Sequence, residues 1–528
     1  MTTTTRATPS PVPPADPRSL LDVARRTRHL EALAAGAVVD VLVVGGGITG
    51  AGVALDAASR GLSVALVEQG DLAAGTSRWS SKLVHGGMRY LASGQIGIAA
   101  ESTRERGLLA TTIAPHLVRS LPFVTPLGTA GVGRAMGVAV SSAQGVADVL
   151  RRTSGTPAAV FPTPRRVEVA EAVRLVPAVH RAGLRAALMS WDGQLEDDAR
   201  LVVAVARTGA AFGARVLTRC AAVDVGDGGA TVVDQVGGAV VDVRARHVVN
   251  ATGVWADRLE PSVRLRPSRG THLVLPAAAL GNPTGALTVP VPGHFGRLLF
   301  ALPQPDGLVY LGLTDEASDE VTSIPQPSQA EVDFLLETFS AGLERPLDRA
   351  DLLGAFAGLR PLLAPADVGA EQPGGPATAD LSRRHAVVER GGVVTVVGGK
   401  LTTYRAMAQE VVDRLTDAAC LTARLPLVGA GPLDRHAAAA VPARLVRRFG
   451  AEAPAVAALA AGDPRLLAPL APGVPALGVE VLWAVFAEGA LDPADVLDGR
   501  LRLDLVPAWR AAAHDAVRDL LSEATPVG

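Results

Sequence analysis

A glycine turn between an apolar run and a helical pattern constrains this chain more than any other feature. Val38–Val44 is apolar except for Asp40, Gly45, Gly47 and Gly50 then form G-x-G-x-x-G, and Thr49–Arg60 has helical spacing. The first glycine permits the tight turn, the second lets a pyrophosphate approach the backbone, and the third lets the helix lie close. The helix N-terminus then meets the phosphate charge. Ser63–Glu68 is a second apolar strand, so the opening is a βαβ unit and predicts an α/β, doubly wound sheet. Glu68 closes that strand 18 residues after Gly50, where an acid binds a ribose hydroxyl. A carboxylate disfavours a 2′-phosphate, so FAD or NAD is the expected ligand.

The 528 residues suffice for roughly three to four domains of about 150 residues. Hydrophobic residues make up 48% and charged ones 19%, which excludes wholesale disorder. Lys plus Arg total 50 against 52 Asp plus Glu, so no global charge favours nucleic acid. Cys220 and Cys420 are far apart and outside any CxxC; an iron–sulfur set, a dithiol centre and a disulfide framework lack residues, and a reduced cytoplasmic setting is expected. The start, MTTTTRATPSPVPPADP, is expected to be a flexible tail without a secretory signal. The longest stretch free of charge, Arg269 to Arg297, contains Pro276, Pro283, Pro290 and Pro292, so no membrane span is expected. A mean hydropathy of +0.28 implies a thick core, leaving open a lipid-facing patch or an oligomer interface.

Residues 18–35 read as a short helix, Asp197–Phe212 as another, and Arg215–Val223 as a strand, with a GDGG hairpin at Gly226–Gly229. From Gly128 to about His180 no element is clear. His247–Val249 is a strand ending in NATG, Thr271–Gly312 alternates like antiparallel sheet, and Gly392–Val397 is a buried strand followed by a helix from Thr402 to about Leu415. These patterns divide the chain into a tail and short helix (1–37), a nucleotide-binding domain with interleaved segments (38–262), an antiparallel substrate region (263–350), a return to the first domain (351–425) and a helical cap (426–528). There is no internal repeat.

Three long stretches point further: VGGGITGAGVALDAASRG at Val44–Gly61, GTSRWSSKLVHGGMRYL at Gly75–Leu91 and GGKLTTYRAMA at Gly398–Ala408. With DDAR, NATG, GLTD, GLRPL and SRRH between residues 197 and 385, the chain resembles the FAD-dependent glycerol-3-phosphate dehydrogenases, well over 38–415 and loosely in the cap. The resemblance implies a glutathione-reductase-like fold with non-covalent FAD. It implies that Gly45, Gly46, Gly47, Gly50, Glu68 and Gln69 contact the ADP half, and that Thr76, Ser77, Ser81 and Lys82 line the pyrophosphate and ring side. Gly86, Gly253, Gly399, Leu401 and Thr402 complete the cofactor set. Hydroxyls and a lysine clustered after the second strand suit acceptors that would otherwise be buried unpaired. The helix starting near Thr402 would favour an anionic reduced ring.

The implied substrate is sn-glycerol 3-phosphate, oxidised to dihydroxyacetone phosphate. His85 is the candidate base, since imidazole acts near neutral pH; Arg360 is its rival for proton handling or alkoxide stabilisation, and Lys400 belongs with them. Arg89, Tyr90 and Arg383 are the implied phosphate binders, Arg offering bidentate donors; Arg384 is a weaker member. No metal site is expected. The chain departs from the family pattern at Gln304, Leu313, Phe486 and Gly499. The resemblance further implies a quinone acceptor, menaquinone first, and peripheral contact with the inner face of the cytoplasmic membrane, with a homodimer open. Alternatives are an oxidase using oxygen, an amine or amino-acid oxidase of the same fold, and a flavin-bound scaffold without turnover.

Overall fold

The computed structural model describes residues 16–87, 91, 95–128, 133–294, 297–364 and 384–524. Val38–Val44 is apolar on both faces because it is a central strand, paired in parallel with Val64–Val67 on one side and Val240–Asn250 on the other. The sheet runs Ala386–Arg390, Val393–Val397, Val240–Asn250, Val38–Val44, Val64–Val67, Arg215–Leu217. Asp40, the polar interruption, accepts hydrogen bonds from Ser63 N and Oγ at 2.9 and 2.7 Å. The strand expected over Arg215–Val223 is two: the chain turns at Arg219, whose φ is +56°, and Cys220–Gly226 then forms a hairpin with Gly229–Asp234.

Ile48–Ser59 is buried along almost its whole length because small residues let two further helices close on it. A Cβ on Gly52 would stand 2.8 Å from Tyr404 Cδ2, and one on Gly209 3.3 Å from the Leu55 Cα. These contacts bring Tyr404–Val412 and Asp198–Ala211 against the first helix. The helix expected to run from Thr402 to Leu415 begins as a 3-10 turn at Leu401–Thr403 and ends at Val412.

The second sheet has ten strands and recruits far beyond 263–350. Its order is Glu316–Ala317, Ser268–Pro276, Leu308–Gly312, Leu298–Pro303, Ala286–Pro290, Val118–Gly128, Leu184–Leu195, Leu83–Val84. Gly354–Arg360 covers the other edge of Ser268–Pro276, which corrects the expected boundary at 351. That strand answers backbone groups of Ser268–Val274 that would otherwise be buried unpaired. The stretch where no element was clear holds the 20-residue helix Arg134–Thr153. Its buried side carries Gln144, Asp148 and Arg151, while Val138, Val146 and Val149 face outward; the apolar stripe is on the wrong side for a core helix.

The cap is helical, as expected, from Arg435–Ala439 to Pro507–Ala524. It joins the first domain through buried ion pairs: Arg200 with Glu488, Arg207 with Glu452, and Arg500 with Asp71. Gly499, a departure from the family pattern, stands where a Cβ would be 2.5 Å from Asp71 Oδ2, the oxygen that Arg500 occupies. Phe486 is exposed. Among the described residues no helix is long and apolar enough to cross a membrane.

Candidate active site

One cavity of about 1160 Å³ runs from the glycine turn to the second sheet, larger than the roughly 300–1,000 Å³ of most small-molecule sites. At its first end Gly45 has φ +110°, and a Cβ on Gly50 would stand 1.9 Å from Gly45 O. Neither position admits a side chain. Gly47 faces Ser77, whose Oγ accepts the Ile48 N–H at 2.9 Å and so caps the helix start. The Glu68 carboxylate accepts Gly46 N–H at 2.6 Å and Gly70 N–H at 2.7 Å. Burial pushes its pKa up, against the pull of those two donors. Gln69, Thr76, Ser77, Ser81 and Gly253 also line the cavity. Thr76 Oγ1 is buried with no partner among the described residues.

Gly398 and Gly399 have φ of +80° and +72°. A Cβ on Gly399 would meet Met407 Sδ at 2.4 Å, so only glycine lets this backbone form the wall. Lys400, Leu401 and Thr402 continue it, and Lys400 Nζ donates to Ser102 Oγ.

The far end is built by the second sheet. Arg360 crosses Gly270, where a Cβ would stand 2.2 Å from its Nη2. Its Nη1 donates to Ser268 Oγ at 3.0 Å and its Nη2 to Thr314 O at 3.1 Å, with Asp315 paired at 3.4 Å. Glu331 holds the turn, accepting Thr314 Oγ1–H at 2.7 Å and Arg269 Nε–H at 2.8 Å. His85 lines the cavity. The next residue's N–H, on Gly86, donates to Asp192 Oδ1 at 3.0 Å, and Arg106 Nη1 donates to the same oxygen at 2.7 Å.

The structure thus brings His85, Arg360 and Lys400 to the same cavity as Gly45, Gly47, Glu68, Gln69, Thr76, Ser77, Ser81, Gly253, Gly399, Leu401 and Thr402. Gly46 and Gly50 do not line it: Gly46 packs against Glu68 and Gly50 against the Gly45 carbonyl. Two expected cofactor residues lie elsewhere. Lys82 is 2% exposed, its Nζ 2.7 Å from Asp198 Oδ1 and 2.9 Å from Arg78 O; a buried ammonium needs a carboxylate, and this one lies away from the cavity. Gly86 packs on Arg106, where a Cβ would be 2.9 Å from Nη1, so it makes room for a guanidinium rather than a ring. Arg89, Tyr90 and Arg383 lie outside the described residues. Arg384 is described and does not line the cavity.

Sequence reasoning missed Asp192, Arg297 and Asp315, all on the cavity wall, and His272 beneath Ser81. The signal was present for two: His272 interrupts the apolar run THLVLP, and Asp315 closes the GLTD stretch.

Residues 40–414 match the family described as FAD dependent oxidoreductase, and residues 396–525 match the C-terminal domain of alpha-glycerophosphate oxidase. Glycerol-3-phosphate dehydrogenase 1 of Mycobacterium tuberculosis is 49% identical over 95% of this chain and 98% of its own length. Glycerol-3-phosphate dehydrogenase 2 of the same organism is 37% identical over 92% and 84%. Among solved structures, the Bacillus halodurans glycerol-3-phosphate dehydrogenase complexed with FAD superposes with a TM-score of 0.70 at 23% identity, covering 96% of this chain and 95% of that one. The Mycoplasma pneumoniae L-alpha-glycerophosphate oxidase gives 0.56 at 17%, over 75% and 100%. At such identities these two speak for the fold alone. The cofactor is FAD, and the glycine turn, Glu68 and the Thr76 hydroxyl, unpartnered among the described residues, fit it.

Proposed function

This chain belongs to the FAD-dependent glycerol-3-phosphate dehydrogenase family, and from that premise we propose that it oxidises sn-glycerol 3-phosphate to dihydroxyacetone phosphate and passes the electrons to a quinone. One observation carries the reading: the dinucleotide cradle and the His85, Arg360 and Lys400 side chains share a single cavity. We read the nucleotide half as glutathione-reductase-like.

Bound FAD supplies the hydride acceptor. His85 takes the proton of the secondary hydroxyl, a role suited to imidazole at neutral pH. Arg360, fixed by Ser268, Thr314 and Asp315, steadies the negative charge that develops on that oxygen as the proton leaves. Arg89, Tyr90 and Arg383 bind the phosphate dianion, as charge-assisted donors do best. Lys400 adds a cation beside the Gly399 wall.

The quinone reading draws support from the helix Arg134–Thr153. Met136, Ala139, Val140, Ala143 and Val146 line the cavity, and Val138 and Val149 on the same helix are 62% and 57% exposed. An apolar face beside the cavity mouth suits a lipid-soluble acceptor and peripheral docking on the cytoplasmic membrane. The match of the cap to a glycerophosphate oxidase domain motivates the rival, oxygen as acceptor.

The deciding experiment mixes purified enzyme with glycerol 3-phosphate anaerobically and follows the flavin absorbance. Bleaching is expected, and its absence would sink both readings. Adding menaquinone-containing liposomes should then restore the colour with quinone reduction and co-sedimentation. Stoichiometric peroxide in air without quinone reduction would assign the oxidase activity.

A further inference from the structure

Three polar side chains follow one another at Ser80, Ser81 and Lys82, and two are consumed inside the protein. Ser80 Oγ donates to Asp198 Oδ2 at 2.7 Å, and Lys82 is paired with the same carboxylate. Ser81 pairs instead with a histidine: His272 Nε2 lies 2.9 Å from its Oγ.

His272 cannot reorient. It is 1% exposed and stacked on Phe356, with centroids 4.8 Å apart and planes at 11°. A Cβ on Gly312 would stand 2.3 Å from its Cδ2, so the strand leaves space for this ring and nothing else. Its Nδ1 is buried with no partner among the described residues. Burial, with the Lys82 and Arg360 charges nearby, holds its pKa down at about 3, so the ring carries a single proton at working pH. Were that proton on Nδ1, a buried N–H donor would have no acceptor. On Nε2, the group left unanswered is a lone pair, the cheaper of the two to orphan.

We propose that His272 is a positioning residue that donates from Nε2 to Ser81 Oγ and thereby obliges the Ser81 hydroxyl to donate into the FAD cavity. With its oxygen already accepting, the serine proton has to go elsewhere, and Ser81 lines that cavity. The chemistry it serves is an acceptor atom of the cofactor: a carbonyl, a ring nitrogen or a phosphate oxygen. The inference rests on the cofactor and stands apart from the substrate and the electron acceptor proposed above, so either can fail without the other.

Nitrogen NMR of the intact protein labelled with ¹⁵N-histidine tests the tautomer directly. His272 should show a protonated Nε2 and a bare Nδ1 from pH 5 to 9; a proton on Nδ1 would overturn the proposal. A double-mutant cycle read by FAD dissociation, through released flavin fluorescence, tests the consequence. Ser81→Ala should weaken FAD binding about three- to tenfold. His272→Phe, which keeps a ring to stack on Phe356, should cost less in the native background and nothing further once Ser81 is Ala. An equal cost in both backgrounds would make His272 a packing residue and end the proposal. Where the Phe variant does not fold, the NMR result decides alone.

Discussion

Asp192 takes the Gly86 N–H at 3.0 Å while its Oδ1 also receives Arg106 at 2.7 Å, so the peptide following His85 is tethered to a part-buried ion pair. Thr103 Oγ1 adds a bond to Gly86 O at 3.0 Å. The segment carrying the candidate base is therefore held from two sides. Asp192→Ala should lower kcat/KM by about tenfold or more through misplacement of His85, chiefly in kcat. Asp192→Asn keeps an acceptor for Gly86 and should lose less. Steady-state kinetics on both variants check this, and native kcat in the Ala variant would refute it.

Gly50 offers a steric prediction. The Gly50 Cβ would meet a backbone carbonyl at 1.9 Å, and backbone cannot swing aside. Gly50→Ala should abolish FAD loading, read as the ratio of flavin to protein absorbance. Gly97→Ala is the control: nothing lies within 4 Å of its Cβ, and it sits in the helix Ile96–Leu108. It should load FAD normally and gain up to about 1 kcal/mol of stability.

Lys82 separates a structural role from a cofactor role. Removing one partner of a buried ion pair costs about 3–5 kcal/mol, and Lys82 and Asp198 are 2% and 0% exposed. Lys82→Met should lower the denaturation midpoint strongly, and Lys82→Met with Asp198→Asn should recover part of the loss. In material that folds, FAD affinity should stay within a few-fold of native. A large affinity loss at native stability would return Lys82 to the cofactor site.

The glycine turn and Glu68 were legible in the sequence because a βαβ nucleotide site is local: strand, turn, helix and acid lie within one short stretch. The same holds for Gly398–Thr402, whose glycines mark a backbone that side chains would block. Lys82 misled because sequence neighbours share a loop without sharing a direction, and its φ of +56° turns it from Ser81. The strand Gly354–Arg360 and the far wall were illegible because their partners lie distant in the chain, Arg360 pairing with Ser268 in register. The helix Arg134–Thr153 escaped because its apolar residues line the cavity or face outward and its buried side holds Asp148 and Arg151, joined at 2.8 Å; periodicity finds helices that bury an apolar stripe.

Buried histidines contribute to the loss of stability in acid. Burial, then the Arg200 charge, lowers the His116 pKa to about 4, and burial lowers that of His272 to about 3; the unfolded values lie near 6.5. The unfolded chain therefore binds more protons than the native one below about pH 6.5, and stability falls as pH drops. Between about pH 6 and 4.5 each histidine should contribute a slope approaching 1.4 kcal/mol per pH unit, flattening once the folded pKa is passed. His116 packs against Gly429 and Gly450, where a Cβ would meet its ring at 2.8 Å in each case, and its Nδ1 has no partner among the described residues. A proton added there would be a charge without an answering group. His116→Gln removes that titration, so its unfolding free energy, measured by denaturant titration across this pH range, should fall less steeply by about one proton's worth. A slope equal to the native one would mean that His116 is already protonated in the folded protein, and the acid sensitivity would then have to come from the carboxylates.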